Sequence, residues 1–207
     1  MDKLRNVAVI LAGGTGSRVG LSIPKQLIKI AGKPIIEHTI IALSRSPLID
    51  EIVIMMTPGH LDPIRTIVHN GGYRKVTQIL EGAGTRNDTT QAALAALGDA
   101  ECNVILHDAV RPLVSQTIIE ANVRALQDYA AVDTAIPSAD TIIQVDGELS
   151  AGRRLGEDQP VISDVLPRPL LRRGQTPQSF RLSVIRKAYE FAALDPDFTA
   201  TTAKKQR

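Results

Sequence analysis

Apolar residues fall along this chain in short unbroken runs, separated by longer stretches in which they recur every three or four positions. The runs NVAVIL (6–11), DEIVIMM (50–56), VTQIL (76–80), NVILHD (103–108) and VDTAIP (132–137) are rich in aliphatic and β-branched side chains. Such runs predict strands buried on both faces of a sheet. Between and after them, KPIIEHTIIALSRS (33–46) carries Pro34 near its first turn. In SQTIIEANVRALQDYA (115–130), Ser115 is placed to cap, with Ile118, Ile119, Val123 and Leu126 forming the apolar side. RLSVIRKAYEFAAL (181–194) has the same periodicity, and all three read as helices. Strands alternating with helices predict parallel βαβ units, an α/β fold with helices covering both faces of a mostly parallel sheet.

The alternation fails after Pro137, where a strand candidate, an Asp146-Gly147 turn and a polar stretch predict a hairpin excursion. No internal repeat, low-complexity tract or linker interrupts the 207 residues, so a single domain over 1–207 is expected.

Composition narrows the function. Hydrophobic residues make up 43% and charged residues 22%, which is ordinary for a globular chain. A net charge of +2 with three Phe, three Tyr and no Trp offers neither a basic surface nor a stacking platform, so no nucleic acid polymer is expected as partner. Cys102 stands alone and reads as a small buried hydrophobe. With no membrane-length stretch and no cleavage pattern at the N-terminus, a cytoplasmic protein without a membrane partner is expected. His38, His60, His69 and His107 lack paired ligand spacing, which argues against zinc; His107 reads as orienting Asp108. No G-x-S-x-G occurs, and no covalent intermediate is called for.

The densest chemistry follows the first apolar run, in ILAGGTGSRVGLSIPKQ (10–26). Glycines after a strand let successive backbone N–H groups converge on an anion. Two nucleotide signatures fail on spacing. The dinucleotide fingerprint needs glycine where Val19 stands, with Gly20 one residue late, and the P-loop needs Gly-Lys-Ser/Thr where the chain offers only Gly32-Lys33-Pro34. What remains is L-x-G-G-x-G-x-R followed by P-K-Q. This resembles nucleotidyltransferases that activate sugars and polyols. The resemblance implies that Leu11, Ala12, Gly13, Gly14, Thr15 and Gly16 wrap a triphosphate, and that Arg18 and Lys25 are the catalytic cations. Charge developing on the α-phosphoryl oxygens and on departing pyrophosphate gives such cations a physical role. The plainer alternative is a glycine-rich turn with two solvated cations.

A second cluster is LHDAVRP (106–112). Asp108 falls at the carboxyl end of a predicted strand, where open α/β sheets place ligands. It could help hold Mg²⁺ or orient a polyol hydroxyl, and Arg111 could bind phosphate. Alternatively Asp108 caps the next turn and pairs with Arg111. HDAVRP resembles the element found in the 2-C-methyl-D-erythritol 4-phosphate and ribitol-5-phosphate cytidylyltransferases. EGAGTRNDTTQAAL (81–94) resembles their segment for cytosine and ribose, with Gly82 and Thr89 at matching places and Gly84 where some members are acidic. QTPQSF (175–180) matches a further signature that carries Thr176.

The resemblance covers nearly the whole chain. It implies a Rossmann-like three-layer nucleotidyltransferase fold with a protruding β-hairpin arm at about 138–168, exchanged in a homodimer. Thr141 and Arg168 would then join Asp108, Arg111 and Thr176 in binding substrate. Mg²⁺ on Asp108 and the conversion of CTP and a polyol phosphate to CDP-polyol and pyrophosphate are implied likewise. The AGG loop, PKQ and GQTPQSF lean toward D-ribitol 5-phosphate, with 2-C-methyl-D-erythritol 4-phosphate and isoprenoid precursor synthesis as the alternative. The family continues past DFTAT with an acidic segment, a strand and a lysine-bearing stretch, whereas this sequence reads TAKKQR; impaired catalysis, more than impaired CTP binding, is expected from that. A non-catalytic nucleotide-binding homologue is therefore a rival reading. A dinucleotide-dependent oxidoreductase is a second rival, opposed by the misplaced Gly20.

Overall fold

The computed structural model describes residues 4–14, 23–146 and 161–194. Its centre is a six-stranded sheet in the order β5-β4-β1-β6-β10-β7. These strands are β1 (Arg5–Ala12), β4 (Glu51–Met56), β5 (Val76–Glu81), β6 (Cys102–Asp108), β7 (Ala131–Pro137) and β10 (Arg172–Arg181). β1 pairs in parallel with both β4 and β6, and β4 in parallel with β5, whereas β10 runs antiparallel to β6. Two short strands, β2 (Lys29–Ile30) and β3 (Lys33–Pro34), form a ribbon of their own, as do β8 (Ile143–Asp146) and β9 (Val161–Val165). The helices are α1 (Ile35–Arg45), α2 (Leu61–Gly71), α3 (Arg86–Ala96), α4 (Gln116–Ala125) and α5 (Leu182–Ala193).

Side-chain alternation along the buried strands explains the layers. Ala8, Ile10 and Ala12 of β1 with Ile52, Ile54 and Met56 of β4 point to one face, where Ile36, Ile40, Ile64 and Ile119 cover them from α1, α2 and α4. Val7, Val9, Val53 and Met55 point to the other, under Ala93 and Leu94 of α3 and Leu182 and Ile185 of α5. A strand covered on both sides has no polar face to display. Ile54 has no solvent exposure in this packing. Ile54→Ala is expected to cost about 2–5 kcal/mol, measured as a lower urea midpoint without change in slope.

The five predicted strands and three predicted helices are all present, with ends close to those expected except that α4 stops at Ala125. Ser115 caps α4, its hydroxyl accepting the Ile118 N–H at 3.2 Å. Two expectations need correction, and three elements are not anticipated. β5 and β7 are less buried than their sequences suggest, because they lie at the two edges of the sheet. Ile118 is exposed, while Ile119, Val123 and Leu126 are buried. α2 and α3 are not evident as helices in the sequence: α2 fully buries only Ile64, and α3 packs through Thr89, Thr90, Ala93 and Leu94, a polar and small-residue face. β10, reading RRGQTPQSFR, hides a central strand behind glycine, proline and amides.

Residues 135–175 form a separate compact unit. Within it β8 and β9 pair antiparallel, Ile143 opposite Val165, which is the predicted hairpin; its Asp146-Gly147 turn and the chain from 195 onward lie outside the described residues. Among the described residues no helix is long and apolar enough to cross a membrane.

Candidate active site

β1 and β6 end side by side, with Leu11 in register with Asp108. Beyond these carboxyl ends, where parallel sheets leave room for ligands, lies a cavity of about 250 Å³. Ala12, Gly13 and Gly14 enter from β1, Lys25 and Gln26 from a turn of 3-10 helix, Ala83 to Arg86 from the loop opening α3, and Asp108 from β6.

Each wall has a local cause. Gln26 is buried, and its amide donates to the Ala12 carbonyl (2.5 Å) and to Thr57 Oγ1 (3.0 Å); Thr57 Oγ1 donates to the same carbonyl at 3.0 Å. The turn is thereby pinned to the end of β1, and Lys25 is brought to the cavity. Among the described residues the Lys25 ammonium has no carboxylate or hydrogen-bond partner.

Opposite, the chain passes closely over itself. A Cβ on Gly82 would lie 3.2 Å from Thr89 Oγ1 and 3.3 Å from Gly13 Cα, and one on Gly13 would lie 3.2 Å from Thr89 Oγ1. The Thr89 hydroxyl accepts the Ala83 N–H at 2.9 Å, so it shapes the loop between β5 and α3. Gly14, by contrast, faces open space. Gly82→Ala is expected to push the two backbones apart and weaken nucleotide binding about tenfold with little loss of thermal stability, because a small displacement of a binding wall is enough to spoil ligand placement. Calorimetric titration with CTP and a thermal scan check both parts.

α3 directs its positive end toward this wall. Thr85 caps it, accepting the Asp88 N–H at 3.1 Å, and Asp88 accepts the Thr85 N–H at 3.1 Å. The next residue, Arg86, reaches across to Asp108 Oδ1, while Arg111 Nε donates to Oδ2 at 3.0 Å. Burial alone pushes the Asp108 carboxyl up, but the bonds and charges of Arg86 and Arg111 outweigh it and hold the group below the usual carboxylate range. Thr176 stands against the same residue, its Oγ1 accepting the Asp108 N–H at 3.3 Å. His107 is wholly buried, and burial pulls its pKa down against the opposing effect of the Arg111 carbonyl.

The structure thus gathers Leu11, Ala12, Gly13, Gly14, Lys25, Gly82, Thr89, Asp108, Arg111 and Thr176 around one strand-end region. Thr141 and Arg168 lie in the unit 135–175, where Arg168 Nη2 donates to Thr141 Oγ1 at 2.9 Å. Thr15, Gly16 and Arg18 lie outside the described residues. Sequence reasoning missed Arg86, although it stands directly after the cap Thr85. His107 does not bond the Asp108 side chain itself: the ring bonds Thr176 and the Arg111 carbonyl, and Thr176 in turn accepts the Asp108 N–H. Among the described residues no group of three potential metal ligands occurs.

Comparison with known proteins places this arrangement. The family model IspD, 2-C-methyl-D-erythritol 4-phosphate cytidylyltransferase, matches residues 6–204. The 2-C-methyl-D-erythritol 4-phosphate cytidylyltransferase of Thermobifida fusca (strain YX) is 46% identical over 199 residues, covering 95% of this chain and 77% of that protein. A bifunctional ribulose 5-phosphate reductase/CDP-ribitol pyrophosphorylase of Haemophilus influenzae is 41% identical over 192 residues, covering 92% of this chain and 38% of that protein. Among solved structures, 4-diphosphocytidyl-2C-methyl-D-erythritol synthase from Anaerococcus prevotii DSM 20548 superposes with a TM-score of 0.77 at 28% identity, covering 96% of this chain and 79% of that one. The fold and its strand-end cavity are those of a nucleotidyltransferase. The chain belongs to the 2-C-methyl-D-erythritol 4-phosphate cytidylyltransferase family.

Proposed function

We propose that this chain transfers the cytidylyl group of CTP to 2-C-methyl-D-erythritol 4-phosphate, releasing pyrophosphate, in isoprenoid precursor synthesis in the cytoplasm. The observation that carries the reading is the cavity in which Gly13, Gly14 and Lys25 face Asp108 and the loop from Ala83 to Arg86. An oxygen of the acceptor's phosphate attacks the α-phosphorus of CTP, the bond to the bridging oxygen breaks, and pyrophosphate leaves with that electron pair. Lys25, and Arg18 on the sequence reading, oppose the charge that builds on the phosphoryl oxygens and the leaving group.

Asp108 is the one carboxylate lining the cavity among the described residues. One carboxylate with substrate phosphate oxygens suits Mg²⁺, so the donor set fits the ion. Asp108 would hold it, displacing a guanidinium from one oxygen, and the ion would supply charge neutralisation on the triphosphate.

The sequence motifs lean toward D-ribitol 5-phosphate as acceptor. The relatives support 2-C-methyl-D-erythritol 4-phosphate better, because that substrate appears in the name of the family and of the Thermobifida protein. Ribitol 5-phosphate stands as the second reading, supported by the Haemophilus relative. A homodimer is also proposed. In the unit 135–175, Ile143, Ile162 and Val165 of the β8–β9 hairpin are 48–57% exposed, an apolar set that a second copy could cover.

Pyrophosphate release from CTP and Mg²⁺, with the two polyol phosphates offered in parallel, tests the reading. Turnover with methylerythritol phosphate at least about tenfold above ribitol phosphate, a discrimination of the order a few site contacts supply, is expected. The reverse order would install the second reading, and no release with either would refute both.

A further inference from the structure

His107 has no exposure to solvent, yet both ring nitrogens are engaged. Nε2 lies 3.0 Å from the Arg111 carbonyl oxygen, and Nδ1 lies 3.0 Å from Thr176 Oγ1. A carbonyl can only accept, so Nε2 carries the proton. Nδ1 of the neutral ring is then an acceptor, and the Thr176 hydroxyl must donate to it. The hydroxyl's remaining capacity accepts the Asp108 N–H at 3.3 Å. Every direction in this chain of bonds is fixed: Asp108 N–H to Thr176 Oγ1, Thr176 O–H to His107 Nδ1, His107 Nε2–H to the Arg111 carbonyl.

The need for such a chain follows from β10. Its pairing with β6 is registered from Arg181–Asn103 through Gln178–Leu106. Beyond Gln178, Pro177 turns its carbonyl to the Thr134 hydroxyl of β7, and Thr176 meets the Asp108 N–H with its hydroxyl oxygen, where a regular ladder would offer a main-chain carbonyl. The Thr176 side chain replaces the missing acceptor, and His107 fixes the Thr176 rotor from the opposite side while tying down the turn that carries Arg111.

We propose that His107 is a positioning residue: through Thr176 and the Arg111 carbonyl it holds Asp108 and Arg111 at the separation the polyol phosphate requires, without touching substrate. The kinetic side of this proposal rests on the function proposed above. The tautomer side does not.

Two measurements test it. In ¹⁵N-histidine NMR of the unaltered full chain at pH 7, His107 is expected as the neutral Nε2–H tautomer; an Nδ1–H tautomer or a charged ring would overturn this direction of bonding, whatever the protein's substrate. In steady-state kinetics, His107→Phe keeps a buried ring but removes both bonds. It is expected to raise the KM for the polyol phosphate about tenfold, in the range seen when a group supporting a ligand is lost, while the CTP dissociation constant changes less than about threefold. His107→Gln, which can again donate to the Arg111 carbonyl, is expected to recover part of that loss and serves if the phenylalanine variant does not fold. Unchanged acceptor KM in whichever variant folds, or an equal rise in both constants, would reduce His107 to a packing residue. A parent chain that turns over neither polyol phosphate would refute the functional reading and leave the NMR result to decide this one.

Discussion

Lys25→Ala is expected to lower turnover by about a hundred- to a thousandfold, the range found when one preorganised group opposing developing charge is removed from a water-poor site. The reason lies in how the ammonium is placed. Gln26, buried and bonded to Ala12 and Thr57, fixes the turn, and Lys25 arrives at the cavity without a partner among the described residues. Because no described residue pairs with that charge, the melting temperature is expected to stay within about 2 °C, as for a surface substitution in a chain of this size. Pyrophosphate release and a thermal scan on the same preparation measure both quantities. A loss of turnover that tracks a loss of folded protein would contradict the assignment.

Asp108→Asn is the second large effect. The carboxylate accepts from Arg86 and Arg111 on its two oxygens, and asparagine keeps its size while removing the negative charge that these two guanidinium groups face. Turnover is expected to fall about a hundredfold, as when a misplaced group spoils a reactive geometry. The pH dependence carries a separate sign. Asp108 has its folded pKa lowered, so its contribution to stability is fully present above the ordinary value of about 3.9 and is lost as pH falls through the lower folded value. Below about pH 4 the urea midpoint of the parent should therefore fall more steeply than that of Asp108→Asn. Parallel acid limbs would show that the two arginines do not hold this carboxylate.

The difference between what the sequence discloses and what it conceals has physical causes. β1, β4 and β6 are legible because strands covered on both faces must be apolar throughout, and their alternation sends Ile10 and Val9 to opposite layers. β10 is not, since a strand that meets β6 only as far as Gln178 can carry glycine, proline and amides near its other end. α3 reads as a binding segment and not as a helix, because three of its four buried residues are Thr89, Thr90 and Ala93, and Leu94 alone is a large apolar side chain. At the site, the glycines are legible through their place after a predicted strand, and Lys25 through the family resemblance of the P-K-Q motif. Arg86 is not: nothing in a linear pattern says that the first residue of α3 will meet the last residue of β6, 22 positions on. The same holds for His107, whose neighbour in sequence faces the other side of the strand and whose partners come from β10 and the turn beyond it.

That the strand-end cavity is the seat of CTP is tested most directly by solving the chain's crystal structure with CTP bound. The triphosphate is expected against Gly13 and Gly14 with Lys25 in contact with it, and the base beside Ala83 and Gly84. CTP seated elsewhere, or in the cavity with its phosphates turned away from Lys25, would overturn that placement and the mechanism built on it.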